Sequence, residues 1–221
     1  MGSNFNVVLV ILALLLPAQS YAIGDWRLDK TEDGIAVFSR EYPGSNVREI
    51  KAVMRVNTGV DALVAVINDV PNSIRLSGVV AEASIVSRVD DWNYTVYQRM
   101  SMPWPVQDRD VVSCREFNRN NDTLVITITD VACAGGMPPQ KNIIRMQKFR
   151  QQWQLSPRPE GEVEVEFFAH SEPGGPIPSW MVNSMSTDVP YEILRNLRGI
   201  SKLEPYNGVR YGSTNFVFSD E

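Results

Sequence analysis

Residues 181–200 read MVNSMSTDVPYEILRNLRGI, and this stretch decides the fold. Met181, Met185, Val189, Ile193, Leu197 and Ile200 recur at steps of four, four, four, four and three. That spacing lays one apolar stripe along a helix of about 20 residues. Arg195 and Arg198 fall in its last turns, where cations suit the helix dipole. Pro190 sits inside it and predicts a kink. A stripe this long needs an equally long apolar surface to cover it.

The chain upstream supplies that surface as strands. Residues 162–169 alternate strictly, with Glu162, Glu164 and Glu166 on one face and Val163, Val165 and Phe167 on the other. Ile50, Ala52, Met54 and Val56 mark one buried face of a strand over 47–56. Further strands are predicted over 34–40, 84–89, 92–102 and 143–155. Residues 110–117 and 123–131 form a hairpin across a turn at Asn120, Asn121 and Asp122. Between the early strands lies a short helix. Asp61 caps it, Leu63, Val66, Ile67 and Val70 set its spacing, and Pro71 stops it. Strands segregated from helices give an α+β domain with an antiparallel sheet wrapped round one long C-terminal helix. Whether the space between sheet and helix is filled or hollow then decides function.

Composition narrows the chemistry. The chain has 221 residues, 43% of them apolar and 21% charged, with net charge −5. No basic block offers the electrostatic footprint of a nucleic-acid binder. Two cysteines and one histidine are too few for a zinc ribbon or a histidine-rich metal centre. No metal and no cofactor is expected.

Ten consecutive apolar residues, 7–16, are too few to span a bilayer but fit the apolar core of a secretory signal. Ser20 and Ala22 fit a small-residue cleavage site after Ala22. The leading residues 1–6 carry no Lys or Arg, a departure from the usual signal. The division expected is a signal peptide over 1–22, a domain over 23–200 and a polar tail over 201–221. The tail carries Tyr206, Tyr211, Phe216 and Phe218, and it either packs on the sheet or stays mobile. Export implies an oxidising compartment, where Cys114 and Cys133 can pair. The expected turn sets Cys133 on the order of 17 Å past the position opposite Cys114. A disulfide needs Cα atoms within about 7 Å, so a bridge requires the chain to fold back after Val131.

Three segments carry a family likeness. They are residues 103–110 (PWPVQDRD), 135–145 (GGMPPQKNIIR) and 172–183 (EPGGPIPSWMVN). In that order, before a C-terminal helix, they resemble the motifs of START domains, the steroidogenic-acute-regulatory-related lipid-transfer domains. The likeness covers residues 26–200 and looks like that of an exported bacterial member. It implies a helix-grip fold, in which a curved antiparallel sheet wraps the C-terminal helix around an internal apolar tunnel. Leu76 stands near a usual family tryptophan. Cholesterol-binding members set an acid opposite an arginine in the tunnel. The arginine maps onto Arg115 and the acid, without gaps, onto Val96. The charge pair is then missing, unless a gap brings Gln98 there, and sterol is disfavoured.

The strand parity that turns Val96 inward also turns Tyr94, Gln98 and Met100 inward. Arg115 shares a face with Val111 and Phe117. It either meets a polar or anionic head group in the tunnel or pairs with Glu116 or a neighbour across the sheet. Met181 and Met185 line the tunnel or pack in the core, since methionine adapts to either. Residues 134–139 place Met137 between glycine and proline pairs. By the resemblance they gate the tunnel together with the C-terminal helix; otherwise they are an ordinary hairpin loop. Asp108, Arg109 and Asp110 read as strand-start structure rather than catalysis. His170 falls on the outward face and is expected at the surface. No nucleophile–base arrangement stands out, so no catalytic residue is assigned.

The function expected is non-enzymatic. A monomer in the periplasm binds, and transfers or senses, one lipid or other hydrophobic molecule, with transient membrane contact. Phospholipid or fatty acyl ligands are favoured over sterol. Burial of roughly 14 methylenes at about 0.8 kcal/mol each supplies on the order of 11 kcal/mol before entropy losses. Two alternatives stand beside this reading: an envelope scaffold with a collapsed cavity, and an aromatase/cyclase-like enzyme using Arg115, Tyr94 and Gln98.

Overall fold

Residues 25–210 are described by the computed structural model. The signal-peptide expectation for 1–22 and the tail beyond 210 lie outside them. Ten strands form one sheet. They are β1 (Arg27–Glu32), β2 (Ile35–Arg40), β3 (Glu49–Val56), β4 (Val80–Arg88) and β5 (Tyr94–Met100). β6 (Arg109–Arg119), β7 (Ile126–Ala132), β8 (Ile144–Arg145), β9 (Lys148–Pro157) and β10 (Val163–Glu172) follow. α1 (Val60–Asn68) lies between β3 and β4, and α2 (Ser179–Ile200) closes the fold. The sheet order is β1-β2-β3-β10-β9-β7-β6-β5-β4. Every pair is antiparallel except the short β8, which runs parallel to β6. The sheet is curved and grips α2, the α+β helix-grip architecture expected from the sequence.

Alternation builds the core. Ile35 and Val37 on β2, Ala52 and Met54 on β3, and Leu155 on β9 point inward and are buried. Leu194 and Leu197 of α2 meet them and are fully buried. Each of these side chains larger than Ala52 contributes about 1.5–3 kcal/mol. α1 buries Leu63, Val64, Val66 and Ile67 against the same core.

Several expectations need correction. β1 has no counterpart among the predicted strands, because its exposed, charged sequence shows no apolar alternation. The strand expected over 143–155 is split into β8 and β9 around Met146 and Gln147. Gly59 rather than Asp61 occupies the cap of α1. α2 runs through Pro190 as one helix of 22 residues, the length expected from the stripe.

The β6–β7 hairpin has a longer connection than the expected turn. Asn120 donates to the Val125 carbonyl, and Leu124 takes a positive φ of 58°. The register therefore sets Cys114 opposite Val131. Cys133 lies two residues on and forms a disulfide with Cys114, with Cα atoms 5.7 Å apart. The first residues after α2 fold back under α1, where Tyr206 is buried and donates to Asp69 Oδ2 at 2.6 Å. Burial and that carboxylate push the Tyr206 phenol up to about 12.

His170 is on the outward parity as expected, yet it is buried rather than at the surface. The β2–β3 loop folds over it and stacks Tyr42 on its ring, centroids 3.7 Å apart and planes 15° from parallel. Strand parity gives the face of a sheet; it does not reveal a loop lying on that face.

Candidate functional site

Pairing across four strands sets Tyr94, Arg115, Asp130 and Gln151 side by side in one row on the inner face. This polar row is flanked by an apolar one that contains Ile128, Trp153 and Phe167. α2 crosses above both. Between them is a cavity of about 200 Å³.

The helix face over the cavity explains how α2 divides its labour. Val182, Met185, Val189 and Ile193 line the cavity and stay partly exposed, Val182 by 44%. Farther along the same stripe Leu197 and Ile200 are buried, and Tyr191 and Leu194 pack on other sides of the helix. The expected stripe therefore divides along its length: Met185 and Val189 face open space, while Met181, Leu197 and Ile200 are buried. The sheet and the Pro71–Arg75 turn add Leu76, Met100, Phe149 and Trp153 to the lining. At the mouth stand Val47, Arg48, Val80, Pro173 and Ile177.

Of the sequence-predicted residues, Gln98, Met100, Arg115 and Met185 line the cavity. Tyr94 and Val96 point inward but pack under Val70 with Ala83 and Ile85. Met181 is buried and does not reach the lining. Met137 lies elsewhere. Arg145, ion-paired to the buried Asp110 on the outer face of β6, donates to the Met137 and Pro138 carbonyls. At Gly136 the loop comes so close to β4 that a Cβ would sit 2.5 Å from Val86 Cγ1. The loop is thus pinned to the outside of the sheet, and none of residues 134–139 lines the cavity.

Arg115 is 5% exposed and Asp130 is 1% exposed. Nε and Nη2 donate to the two Asp130 oxygens at 2.8 Å each, a bidentate pair. Nη1 donates to the Ile67 carbonyl at 2.8 Å and reaches Asn68 Oδ1 and the Tyr94 hydroxyl. Burial pulls the guanidinium's pKa down, but Asp130 outweighs it and holds the group above its ordinary value. The acid that the family pattern assigns to Val96, and that is missing there, is supplied from the opposite neighbour, β7. Gln151 donates through Nε2 to Asp130 Oδ2 at 2.7 Å.

Sequence reasoning missed Asp130, Gln151 and Trp153. The signal was present: Asp130 continues the inward parity of Ile126 and Ile128, and Gln151 that of Trp153 and Leu155. Asp108, Arg109 and Asp110 each hold partners within the fold. Asp108 accepts from Arg99 and the Met102 amide. Arg109 is buried and donates to the carbonyls of Gln107, Pro173 and Gly174, fixing the rim of the mouth. Among the described residues no three His, Cys, Asp or Glu side chains group as metal ligands.

Trp104 is 92% exposed on the β5–β6 loop. That loop is tied to the rim at both ends, through Ser101 to the Val79 carbonyl and through Arg109 to residues 173 and 174.

Comparison with known proteins gives a consistent set of likenesses. The START domain family model matches residues 24–202. An uncharacterized protein of Pseudomonas aeruginosa is 33% identical over 180 residues, covering 80% of this chain and 87% of that one. The crystal structure of a STAR-related lipid transfer protein fragment from Xanthomonas axonopodis superposes with a TM-score of 0.72 at 30% identity. The match covers 80% of this chain and 99% of that one. Human STARD10 shares the fold with a TM-score of 0.68 at 19% identity, over 80% of this chain and 72% of that one.

Proposed function

The chain belongs to the START domain family, and from that premise we propose that it binds one lipid or other apolar molecule in the cavity under α2. The observation that carries this reading is the face of Val182, Met185 and Val189, apolar, lining the cavity and outside the packed core clusters. Protein interiors are normally packed to crystal density. An apolar helix face left against open space in the middle of a fold is stabilised by an apolar guest. The cavity favours this over a scaffold with a filled core. The polar row fixes one end of the guest, and the reading needs no catalytic residue.

A flexible acyl chain is favoured over sterol. A narrow cavity lined by Met100 and Met185 suits a flexible chain better than a rigid ring system. The protein acts as a monomer that meets membranes transiently at the mouth. Trp104 is the anchor there, since tryptophan partitions to the membrane interface. It works in the periplasm after removal of residues 1–22. The disulfide between Cys114 and Cys133 suits that oxidising compartment. The protein transfers or senses its lipid without transforming it.

The test is uptake of a fluorescent acyl lipid from vesicles by purified protein, with N-terminal sequencing of the periplasmic fraction. Saturable one-to-one uptake and a first residue of Ile23 are expected. Absence of any uptake would remove the lipid-binding reading. An uncleaved or cytoplasmic chain would remove the export reading alone.

A further inference from the structure

Arg115 and Gln98 specify the chemistry of the guest more narrowly than the family does. This step rests on the lipid-binding reading above. We infer that the ligand is a single-chain lipid whose polar end is uncharged: a hydroxyl, ester or amide rather than a carboxylate or phosphate.

Two observations carry it. The first is charge. A guanidinium beside an apolar cavity ordinarily invites an anion. Here its charge is already met by Asp130, and four of its N–H groups are committed. A second anion at that end would sit beside the Asp130 carboxylate in a low-dielectric interior, with no cation left to balance it. Arg48, the remaining cation of the lining, is exposed at the mouth and donates to Ser39. An exposed cation of that kind gives weak attraction. What the polar end still offers is neutral. Gln98 is 9% exposed, lines the cavity, and makes no side-chain hydrogen bond among the described residues. Its amide provides both a donor and an acceptor. Gln151 must turn Nε2 to Asp130, which leaves its carbonyl oxygen unused. A second Nη2 hydrogen of Arg115 is also uncommitted. Donors and acceptors of zero net charge match a hydroxyl, ester or amide.

The second observation is size. An engineered apolar cavity of about 150 Å³ holds one benzene. A cavity of about 200 Å³ open at its mouth therefore admits part of one slender chain and has no room for the two chains of a phospholipid.

The experiment displaces N-phenyl-1-naphthylamine from the full mature chain at pH 7.5. The competitors are chain-matched: 1-monodecanoylglycerol, decanol and decanoate, with dimyristoylphosphatidylglycerol vesicles as the two-chain arm. Monodecanoylglycerol and decanol are expected to displace the probe at concentrations at least about tenfold below decanoate. Gln98→Leu, checked for folding by circular dichroism, is expected to shrink that preference to about threefold or less. Asp130→Asn frees the charge of Arg115 and is expected to reverse the preference toward decanoate. If that variant does not fold, Gln98→Leu decides alone. Equal or tighter binding of decanoate by the wild type would overturn the inference, as would one-to-one extraction of phosphatidylglycerol; lipid binding itself would stand. Failure of the probe and of every competitor to bind would sink both readings together.

Discussion

Arg115 reaches acceptors on three different elements, in Asp130, Tyr94, Asn68 and the Ile67 carbonyl. Removing it strands a buried carboxylate. Arg115→Met is expected to cost about 3–5 kcal/mol, read from urea unfolding, whereas Arg115→Met with Asp130→Leu recovers most of the loss. Were the single and double variants equally unstable, the two residues would not act as a unit. His170 gives a pH signature. Burial, opposed by Glu172, the Val47 backbone and Glu49, holds its pKa below the ordinary value. The unfolded chain then binds the proton more readily than the folded one. Stability is full above the unfolded value near 6.5 and falls as pH drops through the window below it. Melting from pH 8 to pH 5 is expected to show this loss in the wild type. His170→Phe keeps the stack on Tyr42 and is expected to lose less. Parity alone places Gln98, Met100 and Arg115 on the inner face. It is silent on Arg115's partner, because that depends on the register of a hairpin whose connection is longer than its sequence suggests.

That connection shows why elements are more legible than their joints. Residues 120–125 make a link with Leu124 at positive φ, a conformation a leucine's sequence context does not announce. The resulting shift brings Cys133 beside Cys114. Replacing both by serine is expected to cost about 3 kcal/mol by the chain-entropy account, and reductant should then have no further effect. α2 is legible as a helix from its four-residue steps. Which part of its stripe is hollow is not, since packed and cavity-lining positions have the same apolar spelling. Substitution separates them. Val189→Trp fills open space and is expected to change stability by less than about 1 kcal/mol while abolishing lipid uptake. Leu194→Trp, in close packing, should cost at least about 1–3 kcal/mol. Equal penalties would mean that no hollow exists under α2.

Among the described residues the sheet and α2, with Ile67 of α1 in the lining, leave a cavity between them. The family motifs make that architecture readable from the sequence, because they lie at the loops and rim the fold requires. The place of residues 134–139 is not readable in the same way. Gating by that loop follows from the family resemblance, yet in this chain Arg145 and Asp110 hold it on the outer face. Contact with a membrane belongs to this scale too. Trp104→Ala is expected to slow transfer between vesicles several-fold, with the amount of lipid bound per protein unchanged.

The most direct test of the account is native mass spectrometry of the protein purified from the periplasm without detergent, with Val189→Trp prepared in parallel. The account predicts a wild type carrying one lipid mass, identified from the organic extract, and a folded variant carrying none. A wild type found only as bare polypeptide, or a variant carrying the same lipid, would contradict it.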